Sequence, residues 1–118
     1  MVIDQTDKFL PQKAKLVMTL RSQAVMSARI LSVIEQTPRE KFVPDHLKAH
    51  AYENVSLPIG NEQTISQPYI VAKMTEHLEV NERHSVLEIG TGSGYQAAIL
   101  ARLVRRVYTM ERLRPLMV

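Results

Sequence analysis

A chain of 118 residues with 45% apolar side chains suits one globular domain, or part of one, and leaves little room for two. Fifteen Lys and Arg against 12 Asp and Glu give a net charge of +3, too small to mark the whole chain as a nucleic-acid binder. The absence of cysteine removes disulfide frameworks, thiolate nucleophiles and cysteine-ligated zinc, and it is compatible with a reducing compartment, so cytoplasm is the default.

The N-terminus carries Asp4, Asp7 and Lys8 with no apolar core behind them, unlike a secretory signal. No stretch approaches the roughly 20 apolar residues of a membrane span, so a soluble protein without membrane contact is expected. From Pro11 the pattern is helical. Leu16, Val17 and Leu20 recur at one-face spacing, as do Ile30, Leu31 and Ile34 behind a cap at Ser27, which predicts two short amphipathic helices. Thr37-Pro38-Arg39-Glu40 reads as a third helix start: proline at the first helical position forfeits no hydrogen bond, and Glu40 can close a capping box onto Thr37. In Val55-Ser56-Leu57-Pro58-Ile59-Gly60-Asn61, proline and glycine break the periodicity, which predicts an irregular loop. Ile70, Val71, Met74 and Leu78 then form an apolar stripe of helical period ending near Val80 and Asn81, with Ser66 near the capping position.

Ser85-Val86-Leu87-Glu88-Ile89 is a short apolar run bounded by polar residues and glycine, as in a buried parallel strand. Ala98, Ile99 and Leu103 mark a helix over about residues 94–104, and Arg106-Val107-Tyr108-Thr109-Met110-Glu111 reads as a second strand, completing a β-α-β unit. No repeat or flexible linker separates the helical front from this unit, so both are expected to pack as one body. The predicted division is a helical region with a substrate and cofactor loop over 1–80, and the start of an incomplete cofactor-binding domain over 81–118.

Glu88-Ile89-Gly90-Thr91-Gly92-Ser93-Gly94 places three glycines at alternate positions between strand and helix, where a backbone without Cβ turns sharply and approaches a ligand closely. A dinucleotide fingerprint needs Gly or Ala at position 95, which is Tyr95, and the lysine of a P-loop is absent, so pyrophosphate binding is disfavoured. About 20 residues past the first glycine, Glu111 closes the second strand, where a carboxylate can accept both hydroxyls of a ribose. The pattern fits a nucleoside ligand without a required phosphate. Glu88 is read equally as a strand-end acid satisfying loop amides or as a direct ligand contact.

Three other signals read as structural. His46 and His50, spaced i, i+4, lack an evident third ligand, so no metal is expected. Arg102, Arg105, Arg106, Arg112 and Arg114 form a basic cluster with only Tyr108 as a stacking aromatic, which favours solvated charge over nucleic-acid contact. Met74 and Met110 lie on predicted apolar faces and are expected to fill core.

The strand, E-x-G-x-G-x-G loop, helix and strand-ending acid resemble the first cofactor motif of Rossmann-like methyltransferases. Upstream, Pro38-Arg39-Glu40-Lys41-Phe42-Val43, Ala51-Tyr52-Glu53-Asn54, Leu57-Pro58-Ile59-Gly60 and Gln63-Thr64-Ile65-Ser66-Gln67-Pro68 resemble the signature of protein-L-isoaspartate O-methyltransferases, over roughly residues 37–111 in all. The resemblance implies an α/β, Rossmann-like fold with a small helical region in front, truncated within the domain that binds S-adenosyl-L-methionine. It implies methyl transfer to the carboxylate of L-isoaspartyl residues in damaged proteins and peptides. Cofactor contacts then fall on Gln63, Thr64, Ile65, Ser66, Glu88, Gly90, Gly92, Gly94 and Glu111, and the active-site serine on Ser66. One departure stands out: Gly60-Asn61-Glu62 carries a carboxylate where the family usually has a second glycine.

Methyl transfer from a sulfonium to a carboxylate is an in-line displacement, and a side-chain carboxylate with a pKa of about 3.9 is already ionised near neutrality. No strong base is required; holding the two reactants in line and excluding water suffices. Ser66 is therefore read as a hydrogen-bond donor, or as a helix cap, and not as a nucleophile. Other readings are a non-catalytic adenosyl-ligand-binding module and a methyltransferase of the same fold acting on RNA or small molecules. With so few strands, the chain alone is expected to self-associate and to lack turnover.

Overall fold

A computed structural model describes residues 7–111. Two helices come first, α1 (Leu10–Ser22) and α2 (Ala28–Gln36), followed by two 3₁₀ turns, Arg39–Phe42 and Asp45–His50. A hairpin of β1 (Leu57–Gly60) and β2 (Gln63–Ile65) leads into α3 (Pro68–Leu78), and β3 (Ser85–Ile89), α4 (Tyr95–Ala101) and β4 (Arg106–Met110) complete the chain. β1 and β2 pair antiparallel, while β3 and β4 pair parallel with α4 as the crossover, so the predicted β-α-β unit is present.

Both front helices bury the residues whose spacing announced them: Leu16, Val17 and Leu20 on α1, and Ile30, Leu31 and Ile34 on α2. The Ser27 hydroxyl caps α2 by accepting from the Ile30 amide at 3.2 Å. The predicted capping box on Thr37 does not form. Thr37 turns back to donate to the Val33 carbonyl at 2.7 Å, and the Glu40 carboxylate accepts from the Tyr52 hydroxyl. A side chain that finds a tertiary partner is withdrawn from local capping, and a 3₁₀ turn replaces the helix.

Three further expectations are corrected. The proline- and glycine-bearing segment is an ordered hairpin whose turn runs through Gly60, Asn61 and Glu62, all at positive φ. Helix α3 buries Pro68, Val71, Ala72 and Thr75 and leaves Ile70, Met74 and Leu78 outside. Both sets recur at helical spacing, and the tertiary fit selects one: Thr75 accepts from the Gln96 side chain at 3.0 Å, across to α4. Strand β3 is not buried on both faces. Val86 and Glu88 point toward the body, while Leu87 and Ile89 are 60% and 79% exposed, beside Tyr108 and Met110. Met74 and Met110 therefore do not fill core.

One core serves both parts of the chain. Leu20, Val25, Ile34, Ala51 and Ala72 from the front cluster with Ile99, Leu103 and Val104 from the β-α-β unit. Arg29 adds a polar tie, its Nη2 donating to the Leu103 carbonyl at 2.8 Å. No helix among the described residues is long and apolar enough to cross a membrane. Arg112 and Arg114 of the basic cluster lie outside the described residues, as do residues 1–6.

The Glu76 carboxylate of α3 accepts from the Met26 and Ser27 amides at 2.7 and 2.9 Å, occupying donors at the start of α2. Glu76→Ala leaves those amides to solvent and cuts this polar link between the start of α2 and α3. It is expected to cost about 1–2 kcal/mol in urea unfolding, with Glu76→Gln losing less because an amide oxygen still accepts. Equal stability of both variants and wild type would show that the link is energetically idle.

Candidate functional site

The parallel register sets Ile89 opposite Met110, so the ends of both strands and the residues that follow them share one edge. The glycine loop leaves β3 at that edge and is pinned there at once. The Gly90 and Thr91 amides both donate to the Met110 carbonyl, at 2.7 and 3.1 Å, and the Gly92 amide donates to the Glu111 carboxylate at 2.6 Å. Gly90, Gly92 and Gly94 hold φ of +81°, +59° and +88°, a region where L side chains are strained. A Cβ on Gly90 or Gly92 would meet nothing within 4 Å. The glycines are required by backbone conformation, and the space they leave bare is cleft.

Residues 63–66 form the facing wall. They descend from the hairpin turn, in which Glu62 is exposed and does not line the cleft. Ser66 is exposed, and the residue capping α3 is Gln67, with no side-chain cap. Serine as a helix cap is therefore not what this position is for. The Ser66 backbone is fixed from behind, its carbonyl accepting from Arg39 Nη2 at 2.9 Å.

Between the walls lies a cleft of about 560 Å³, lined by Gln63, Thr64, Ile65 and Ser66 on one side and by Glu88, Gly90, Gly92 and Glu111 on the other. Every site residue expected from the sequence reaches it except Gly94, which opens α4 and donates its amide to the Thr91 carbonyl. Val71, Tyr95, Gln96 and Met110 also line it, and nothing in their local pattern marked them. Oxygen Oε1 of Glu88 is buried with no hydrogen-bond partner among the described residues. Burial pushes the Glu88 carboxyl above its usual range and the neighbouring charge of Glu111 adds to the effect, while Thr91 opposes it. The cleft thus presents two carboxylates and bare backbone, a surface suited to cationic groups and hydroxyl donors.

The set-aside signals resolve locally. His46 and His50 sit on a 3₁₀ turn, whose three-residue period does not align i with i+4, and His50 pairs with Glu53. Arg102 bonds back to the Ala98 carbonyl of its own helix at 2.9 Å.

The family model for protein-L-isoaspartate(D-aspartate) O-methyltransferase matches residues 11–118. The chain belongs to this family. It is 58% identical over 106 residues to the protein-L-isoaspartate O-methyltransferase of Parvibaculum lavamentivorans, covering 90% of this chain and 48% of that protein. The namesake in Rhodospirillum rubrum is 56% identical over 101 residues, 86% of this chain and 46% of that one. The chain therefore spans about half the length of the curated relatives it matches. A solved protein-L-isoaspartate O-methyltransferase superposes with a TM-score of 0.76 at 31% identity, over 88% of this chain and 35% of that one. A second, from Plasmodium falciparum and in complex with S-adenosyl-L-homocysteine, has a TM-score of 0.74 at 20% identity, over 89% and 50%. The fold is thus the Rossmann-like α/β fold of these methyltransferases, with the helical region in front.

The environment of Glu88 has a measurable consequence for this family member. With its folded pKa raised, the folded chain holds the Glu88 proton more tightly than the unfolded chain, so the group stabilises most below about pH 4.5 and loses that contribution as pH rises through the folded value. Glu88→Gln mimics the protonated form. It is expected to melt above wild type at about pH 7, with the gap closing toward about pH 4. An absent or pH-independent gap would place Glu88 in solvent, and a gap that grows on acidification would mean that the folded chain favours the ionised carboxylate.

Proposed function

We propose that this cleft binds S-adenosyl-L-methionine and that the chain is the front half of a protein-L-isoaspartate O-methyltransferase, acting on isoaspartyl residues of damaged proteins and peptides. One observation carries the reading: residues 63–66 and the Gly90 loop, more than 20 positions apart in sequence, face each other across a single cleft with Glu88 and Glu111 at its edge. The residues fit the group. Gly90 and Gly92 leave open space for close approach, and Glu88 carries an unpartnered buried oxygen able to accept from an ammonium or hydroxyl donor.

S-adenosyl-L-methionine supplies an electrophilic methyl group on a positively charged sulfur. Gln63, Thr64, Ile65 and Ser66 would hold it on one side, and Glu88, Gly90, Gly92, Gly94 and Glu111 on the other. Glu111 accepts from the Gly92 amide at one oxygen, and a carboxylate's remaining acceptor sites could take a ribose hydroxyl. The two carboxylates favour a cation and repel a second anion, which directs an isoaspartyl carboxylate to the opposite wall. Ser66 lies on that wall and is exposed, and its hydroxyl would donate a hydrogen bond and orient the nucleophile.

The helical region over 1–80 would contribute the Ser66 wall and the stretch over 81–118 the glycine wall. The outward face of β3 and β4, with Leu87, Ile89, Tyr108 and Met110 exposed, supports self-association of the chain by itself. No nucleic-acid or membrane partner is proposed, and the cysteine-free composition is compatible with a reducing compartment such as the cytoplasm.

Calorimetric titration of the chain with S-adenosyl-L-homocysteine tests the ligand, and methyl transfer to matched isoaspartyl and aspartyl peptides tests the reaction. Binding is expected from this chain, and turnover on the isoaspartyl peptide alone from a chain of the relatives' full length carrying it. In the latter, Ser66→Ala is expected to slow turnover roughly 10²-fold with little change in ligand affinity. Equal labelling of both peptides, or turnover indifferent to Ser66→Ala, would contradict the assignment.

A further inference from the structure

The two walls of the cleft share no strand pairing: β1 pairs with β2 and β3 with β4, in separate sheets. The Arg39 side chain spans them. Arg39 is fully buried, with Nε donating to the Ala51 carbonyl at 2.7 Å and Nη2 to the Ser66 carbonyl at 2.9 Å. Its guanidinium carbon lies 4.7 Å from the ring centroid of Tyr95, the residue that follows Gly94 and lines the cleft opposite Ser66. Phe42, from the same 3₁₀ turn, meets the Tyr95 ring edge-on at 5.5 Å. Arg39 is anchored independently of both walls, because its own amide donates to the Tyr52 hydroxyl at 3.0 Å and that hydroxyl donates to Glu40.

Burying a guanidinium is costly, and carbonyl oxygens and an aromatic face compensate this one only in part, since Nη1 is buried without a hydrogen-bond partner among the described residues. A leucine or methionine would fill the volume without that cost. What neither offers is a planar fork that reaches two carbonyls at fixed angles while its flat face stacks on a ring. We infer that Arg39 is a positioning residue that holds the 63–66 wall and the glycine-loop wall in register, acting on the ligand only through Ser66 and Tyr95. The inference rests on the proposed function for the identity of the ligand, but not for the coupling itself.

Arg39→Lys keeps the charge and loses the fork, and Tyr95→Leu removes the ring beneath it. Thr37→Val is the control: it deletes a buried hydroxyl bond to the Val33 carbonyl, lowers stability and touches neither wall. Amide hydrogen exchange and S-adenosyl-L-homocysteine affinity are measured well below the melting transition of each variant. Arg39→Lys and Tyr95→Leu are both expected to speed exchange about tenfold at residues 63–66 and 90–92 relative to α1, and to weaken binding about tenfold. Thr37→Val is expected to do neither. Wall exchange and affinity that stay at wild-type values in Arg39→Lys, or that change equally in Thr37→Val, would reduce Arg39 to a structural residue. Should Arg39→Lys fail to fold, Tyr95→Leu decides by the same readouts. Wild type that binds no S-adenosyl-L-homocysteine, while the exchange pattern holds, overturns the proposed ligand and leaves the coupling standing.

Discussion

The parallel pairing of β3 with β4 is the constraint from which the site follows. Parallel strands joined by a crossover helix end at the same edge, so Ile89 and Met110 are neighbours although 21 positions separate them. Whatever follows each strand must meet there. After β3 comes a run whose alternate glycines accept left-handed conformations, and after β4 comes a carboxylate. The Met110 carbonyl takes two loop amides and the Glu111 carboxylate a third, so the loop is shaped by the strand it faces. A one-residue slip in register would move Glu111 off Gly92 and present the opposite faces of β3 to the core.

The charge of that edge decides what it can hold. Glu88 is partly buried beside Glu111, and burial first and the neighbouring charge second disfavour ionising Glu88. A cation or a set of hydroxyl donors beside Glu88 would relieve that cost. An anion does not relieve it. In the proposed function, those two side chains would favour a positively charged nucleoside ligand beside them and send a substrate carboxylate to the facing wall.

Local chemistry was legible where one residue decides one conformation. Alternate glycines implied a sharp backbone turn, which takes positive φ at all three, Ser27 implied a cap, and the spacing of Leu16, Val17 and Leu20 implied a buried face. Illegible features were those settled by a distant partner. Helix α3 carries two stripes of equal period, and contact between Thr75 and Gln96 selects the less apolar one. Glu40 was drawn from its predicted cap by Tyr52, and the hairpin at residues 57–65 forms across a turn with Asn61 and Glu62 at positive φ, where local propensity argues for a loop. Arg39 is the clearest case: nothing in Pro38-Arg39-Glu40 distinguishes a solvated arginine from one wholly buried under the cleft. Leu87 and Ile89 read as buried because they are apolar, whereas only one face of their two-stranded sheet is covered among the described residues.

The claim that two remote segments form one nucleoside-ligand site is tested most directly by amide chemical-shift mapping of the 118-residue chain during titration with S-adenosyl-L-homocysteine. Shifts that saturate together at residues 63–66, at Gly90 and Gly92 and at Glu111, with α1 and the Asp45–His50 turn unmoved, are expected. Shifts on one wall alone, or centred on the separate cavity between α1 and Tyr52, would contradict a shared site.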